Sequence, residues 1–250
     1  MTASTSIIAT IVGTGTYSYS GDGGQGTSAT LAVPIGVALD ASGNIYIGDC
    51  YNHRVRKLTV STSILTTIGG NGATGYSGDG GQATAAEIKC PGGVNLDSAG
   101  NIYIADFGCG YQVIRKITVS TGIISTVAGV ASTSVGYNGD NIQATAATFY
   151  IPDDVALDSY GNLYIADRYN SRIRKVDVST GVITTVVGTG TASSTGDGSA
   201  ATSATINYPC SVQLDSADNL YLSECSGARI RKVVTVTTAI PTTTPTNSPR

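Results

Sequence analysis

Tryptophan is absent from this chain and histidine occurs once, as His53. With one imidazole and no CxxC pair, no spacing makes a zinc site. A Ser/His/Asp triad would have to use His53 alone, and no GxSxG elbow presents a serine. The Gly-rich stretches lack the DxDxDG ladder of a calcium loop and the lysine of a phosphate loop. Charge is scarce too: charged residues make up 12% of the chain, and the formal net charge is −3. Without a long basic run there is no electrostatic footprint for nucleic acid. No apolar run approaches the ~20 residues that cross a bilayer, so no membrane insertion is expected. The N-terminal MTASTSIIAT lacks the basic start and long apolar centre of a signal peptide. The chain therefore reads as a mature form or as part of a longer protein. No Asn-x-Ser/Thr sequon with an allowed middle residue occurs, and nothing calls for a cofactor.

Glycine, by contrast, occurs 32 times among 250 residues, and hydrophobic residues reach 41%. That balance suits one large all-β domain. The stretch Pro152–Gly188, PDDVALDSYGNLYIADRYNSRIRKVDVSTGVITTVVG, holds four short apolar-polar alternating runs. Turn-rich DSYGN, DRYNS and DVSTG separate them. Such runs between Gly, Asn, Asp and Ser clusters predict a four-stranded antiparallel meander.

Everything else repeats this unit. Its proline recurs as Pro34, Pro91, Pro152 and Pro209, in steps of 57, 61 and 57 residues. Asp40, Asp97, Asp158 and Asp215 keep the same steps. The second strand recurs as NIYIGD (44–49), NIYIAD (101–106), NLYIAD (162–167) and NLYLSE (219–224). The third recurs as RVRKL (54–58), VIRKI (113–117), RIRKV (172–176) and RIRKV (229–233). A loop precedes each copy: YSGDGGQGTSATL, YSGDGGQATAAEI, YNGDNIQATAATF and TGDGSAATSATI. Their ATAAE and ATAAT pieces can form one helical turn. Loops this long are packed on themselves or functional.

A radially repeated four-stranded unit is a propeller blade. The motif set GDGGxAT…P.GVALD..GN.YIAD…RIRKV…TG.ITTVAG resembles the NHL-repeat family over residues 6–234. The resemblance implies a β-propeller, and the four copies make it an all-β fold of four four-stranded antiparallel blades. The blades fall at about residues 31–68, 88–127, 149–187 and 206–233, within one domain spanning 1–234. Similar repeats often carry Asn-His where Asn52-His53 stands, so His53 reads as a loop residue bonding within its turn. Lyases on related propellers use several histidines around a metal, which this chain cannot supply.

The two ends differ from the interior. Blade four has three strands up to Val233, but Pro241 falls where the fourth should run and would remove a ladder donor. Ser6–Val12 (SIIATIV) is an orphan strand that matches 63–68, 122–127 and 181–187. The simplest expectation is that it completes blade four and closes the ring, leaving no open edge. The alternative is that it completes blade four of a neighbouring molecule, which repeated head to tail builds a filament. The Thr/Pro-rich tail 235–250 reads as an extended stalk, with O-glycosylation open if the chain is secreted.

Five cysteines remain. Facing residues of an antiparallel pair share a constant index sum. Cys90 with Cys109 and Cys210 with Cys225 give sums of 199 and 435, which differ by twice the 118-residue offset between their blades. Two in-blade disulfides, Cys90–Cys109 and Cys210–Cys225, are therefore expected, with buried free thiols as the plainer reading. Cys50 is left as a free or intermolecular thiol. Two disulfides favour an oxidising, extracellular location.

The acids Asp49, Asp106, Asp167 and Glu224 end the second strands, and Arg56, Arg115, Arg174 and Arg231 lie in the third. Recurrence in every blade argues for structural ion pairs rather than catalysis. Tyr46, Tyr103, Tyr164 and Tyr221 read as packing between blades. Asp22, Asp79, Asp140 and Asp197 read as residues that hold their own loop turns. The residues favour a non-enzymatic extracellular structural or adhesive module, self-assembling by strand exchange into oligomers or fibres. Its partners would be proteins or further copies of itself. The alternative is a ligand- or protein-binding sensor with its binding face at the cysteine-bearing rim. The least supported option is a hydrolase or lyase at the channel mouth.

Overall fold

In each repeat the segment between first and second strands closes on its own side chains. Asp40 Oδ1 accepts the amides of Ser42 and Asn44, while Asn44 Oδ1 caps the Val60 amide in the turn opposite. Asp97–Asn101, Asp158–Asn162 and Asp215–Asn219 make the same closure. Side-chain bonds that mimic a turn explain why Asp and Asn recur there. The structure, a computed structural model, describes residues 6–108 and 110–234. It shows the all-β, four-bladed propeller that the repeats predict, with only single 3₁₀ turns for helix.

Blade 1 comprises Pro34–Leu39, Ile45–Asp49, Arg54–Thr59 and Ile64–Gly69. Blade 2 comprises Pro91–Leu96, Ile102–Gly108, Tyr111–Thr118 and Ile123–Ala128. Blade 3 comprises Pro152–Leu157, Leu163–Asp167, Arg172–Val176 and Val182–Val187. Blade 4 comprises Pro209–Leu214, Leu220–Glu224 and Arg229–Val233. Every neighbouring pair is antiparallel. A bulge interrupts each first strand near its proline, for example between Pro209 and Ser211. The four alanine-rich loop pieces each form a 3₁₀ turn, at Gly26–Ser28, Ala83–Ala85, Ala144–Ala146 and Ala201–Ser203.

The core lies between blades rather than inside them. Tyr46 and Val55 of blade 1 pack with Val94, Ile102 and Ile104 of blade 2. Tyr103 and Ile114 of blade 2 meet Val155 and Leu163 of blade 3. Ala166 and Ile173 of blade 3 meet Val212 and Leu222 of blade 4. This is one interface used three times, and Tyr46 and Tyr103 stand in it and Tyr164 against it. The first strands of blades 1 and 2 approach so closely that a Cβ on Gly36 would lie 2.7 Å from the Val94 amide nitrogen. Only glycine fits such an approach.

The closing strand departs from the sequence expectation. Among the described residues blade 4 has three strands, and residues 6–12 pair with no strand. The end blades do not share a packed face. Val37 of blade 1 is 62% exposed, whereas its counterparts Val94, Val155 and Val212 are buried. Ile230 of blade 4 is 74% exposed, whereas Val55, Ile114 and Ile173 are fully buried. The ring is thus left open, because the N-terminal segment stays with blade 1. Pro241 and the tail 235–250 lie outside the described residues.

Candidate functional site

Each blade is pinned by a charged pillar built on its third-strand arginine. Arg56 reaches Asp22 at 2.7 Å and Asp49 at 3.3 Å. Arg174 reaches Asp140 at 3.1 Å and Asp167 at 3.7 Å. Arg231 reaches Asp197 at 2.6 Å and Glu224 at 2.8 Å. Arg115 reaches Asp79 at 2.5 Å and otherwise donates to the Glu87 and Ser77 carbonyls. The strand acid is only one partner, and the loop aspartate is the nearer one throughout. Sequence reasoning assigned those loop acids to their own turns. The missed signal was their constant lead of 34 or 36 residues over the arginine. Three of the four guanidinium groups are completely buried, and a buried charge is tolerated only when paired.

Blade 2 is the weak pillar. Asn52 and Asn170 donate their amides to Asp49 and Asp167, but blade 2 has no asparagine at that point. Asp106 accepts the Lys89 and Cys90 amides at Oδ1, while its Oδ2 is buried without a hydrogen-bond partner. Burial pushes the Asp106 carboxyl up to about 6, against the backbone bonds and Arg115, which favour the charged form. In the loops the balance reverses. Burial opposes ionisation of Asp79, but bonds from Thr126 and Arg115 outweigh it and hold the carboxyl below its ordinary value.

The cysteines gather on one rim, at the starts of first strands and the ends of second strands. Cys210 joins Cys225, with Cα atoms 5.9 Å apart. Cys90, however, joins Cys50 of the neighbouring blade, with Cα atoms 4.3 Å apart. This corrects both the expected Cys90–Cys109 pairing and the reading of Cys50 as a free or intermolecular thiol. Cys109 lies outside the described residues. The bulge in each first strand breaks the constant index sum. Cys210 sits on that bulge, but Cys90 precedes Pro91 and faces the adjacent blade. His53 likewise crosses over, with Nδ1 against the Lys89 carbonyl rather than within its own turn. Two links thus staple blade 1 to blade 2 at this rim.

Tyrosines decorate the same rim. Tyr150 and Tyr169 have ring centroids 4.9 Å apart, and Tyr169 and Tyr208 5.1 Å. Arg168 lies beside this row and pairs with Asp153 at 2.9 Å. Among the described residues no group of three or more His, Cys, Asp or Glu side chains could hold a metal ion. No helix is long and apolar enough to cross a membrane. The pillar groups contact one another within the scaffold, whereas the aromatic rim and the two end faces expose side chains to solvent.

The NHL repeat family model matches residues 31–58 and 149–176, the first three strands of blades 1 and 3. Teneurin-1 of Gallus gallus is 27% identical over 237 residues, covering 86% of this chain and 8% of that protein. NHL repeat-containing protein 2 of Homo sapiens is 29% identical over 106 residues, covering 42% of this chain and 14% of its own length. Among solved structures, a protein of unknown function from Bacteroides thetaiotaomicron superposes with a TM-score of 0.64 at 26% identity. That match covers 80% of this chain and 46% of the other. The chain therefore spans a small part of these curated relatives and about half of the solved one. With the NHL repeat matched in two of its four blades, the chain carries NHL repeats within a four-bladed β-propeller.

Proposed function

We propose that this chain is a non-enzymatic, extracellular structural or adhesive module that works by binding protein, further copies of itself included. The observation that carries this reading is the pair of open end faces. Val37 and Leu39 at one end and Ile230 at the other are solvent-exposed, where the internal blade faces bury or half-bury their equivalents. Contiguous apolar surface of this kind marks an interaction site. The two disulfides support an oxidising location. The repeated ion pairs, all engaged in the scaffold, support a role without chemistry. Beads coated with the purified chain are expected to cluster or to adhere to surfaces of secreted matrix protein. A broad hydrolase and metal-dependence screen is expected to find no turnover. Inert beads would sink the adhesive role, and robust turnover would sink the non-enzymatic one.

A second reading places ligand recognition at the cysteine-bearing rim, favoured by the Tyr150–Tyr169–Tyr208 row. A row of tilted and edge-to-face rings beside an Arg–Asp pair suits a flat ligand or a peptide. Tyr169→Ala would then abolish ligand binding while leaving bead clustering unchanged.

A further inference from the structure

Blades 1 to 3 show what fills the outer position of a blade. There the fourth strand lies between two edges, the third strand on one side and the Gly-rich loop on the other. In blade 1, Gly23 and Gly26 donate to the Leu65 and Ser63 carbonyls at 2.8 and 2.9 Å. On the other edge Arg56 stands opposite Thr67 and Leu58 opposite Leu65. Blade 2 repeats this with Gly80 and Ala83 on Ile124 and Gly122, and blade 3 with Asn141 and Ala144 on Ile183 and Gly181. Among the described residues blade 4 has both edges, Gly198–Ala201 and Arg229–Val233, but no strand between them, and an open groove of ≈ 780 Å³ lies there.

Ser6–Val12 has the sequence of an outer strand and is carried as one. Gly13 and Thr14 donate to the Gly26 and Ala29 carbonyls at 2.9 and 3.0 Å. Gly70 and Asn71 make the same bonds to Ala83 and Ala86, and Gly188 and Thr189 to Ala201 and Ala204. Gly13, Gly70, Gly129 and Gly188 all have positive φ, between 85° and 98°. Val12 packs against the blade 1 cluster. The segment therefore stands as the outer strand of a blade that would precede blade 1. Ile8 is fully exposed, whereas its counterparts Leu65, Ile124 and Ile183 are fully buried.

We propose that a second copy of this chain fills both vacancies. Ser6–Val12 of one copy enters the blade 4 groove of the next, and the blade 1 face of the first packs on the blade 4 face of the second. This rests on the self-binding reading above and names its interface. The internal blades set the register: Thr10 opposite Arg231, Ile8 opposite Val233, and the Gly198 and Ala201 amides on the Ile8 and Ser6 carbonyls. The charge pattern agrees. The Thr185 hydroxyl donates to Asp140 and the Thr126 amide to Asp79, but among the described residues Asp197 has no outer-strand partner and its side chain is 75% exposed. Thr10 stands at the position of Thr67, Thr126 and Thr185 and supplies that partner. The same patch is not used twice, so the contact is head to tail and extends copy by copy.

Two point variants test this, Ile8→Asp and Ile230→Asp. Both replace side chains that are exposed in the single chain, so both variants fold. Sedimentation velocity over a concentration series is expected to show wild type growing in mass with concentration. Each variant alone stays monomeric, its association weakened at least about 100-fold by a charge carried into an apolar seat. Mixed in equal amounts, they form a 1:1 dimer and nothing larger, because one sound strand meets one sound groove. A mixture that stays monomeric, or a variant that assembles alone, overturns the interface. Wild-type assembly that survives both substitutions does so too, yet leaves the adhesive reading standing. A wild type monomeric at every concentration removes the second copy as occupant, and protein binding is then decided separately by adhesion to matrix surfaces.

Discussion

Ile173 and Ile230 occupy the same place in consecutive blades, and the structure assigns them opposite energetic weights. Ile173 is fully buried against blade 4, whereas Ile230 is 74% exposed at the open end. Truncating a buried isoleucine to alanine removes three carbon atoms from a packed interior. At about 0.8 kcal/mol per buried methylene, the transfer part alone is about 2 kcal/mol. The cavity left behind brings the cost of Ile173→Ala to roughly 2–5 kcal/mol. Ile230→Ala forfeits only the quarter of that transfer which is realised in the single chain, about 0.5 kcal/mol. Urea unfolding at concentrations well below association, followed by circular dichroism, measures both. Each kcal/mol lost also lowers the melting temperature by ~2–4 °C in a chain of this size. A cost above about 2 kcal/mol for Ile230→Ala in a monomer would refute the reasoning. It would mean that the chain's own N-terminal strand covers blade 4 and closes the ring.

The pillars and staples set the outcomes of four further substitutions. Asp140→Ala strips the fully buried Arg174 of its nearest carboxylate and is expected to cost roughly 3 kcal/mol. Asp197→Ala, on a largely exposed side chain, costs less than about 1 kcal/mol in the same melts. Asp106 titrates near 6 in the fold against 3.8 unfolded, so the folded state binds more protons and stability falls as pH rises from about 4 to about 6. Asp106→Asn is expected to flatten that slope and to raise stability at pH 7.5 by about 1–3 kcal/mol; an unchanged slope refutes the assignment. Cys50→Ser opens a loop spanning 40 residues and is expected to cost up to ~4 kcal/mol. Non-reducing peptide mapping should recover Cys50 linked to Cys90, and recovery of a Cys90–Cys109 peptide would refute the link.

The parts of the fold legible in the sequence are those decided inside one repeat. The Asp–Asn turn closures, the alternating strands and the alanine-rich 3₁₀ turns all use contacts a few residues apart. The packing of Tyr46, Tyr103 and Tyr164 between blades was legible because they recur on one face, whereas Tyr221 joins no such cluster among the described residues. The parts that were not legible depend on how blades or loops meet. Cys50 and Cys90 lie in different repeats and meet only because glycines let the first strands close in. The loop aspartates reach Arg56, Arg115, Arg174 and Arg231 by a path that strand periodicity does not describe. Whether blade 4 meets blade 1 depends on the rotation between blades, which no single repeat encodes, so the orphan strand was recognisable while its destination was not.

The handover at each glycine has a further consequence. Blades 1 to 3 each complete their sheet within one contiguous stretch, and the chain leaves the outer edge at Gly70, Gly129 or Gly188 before the Gly-rich loop that seats on the next outer strand. The two ends are offset from those boundaries by one strand. Residues 6–12 carry an outer-strand sequence ahead of blade 1, and blade 4 has three strands among the described residues. Moving that strand to follow Val234 would give blade 4 an outer strand contiguous with its own repeat and remove the mismatch between the two ends.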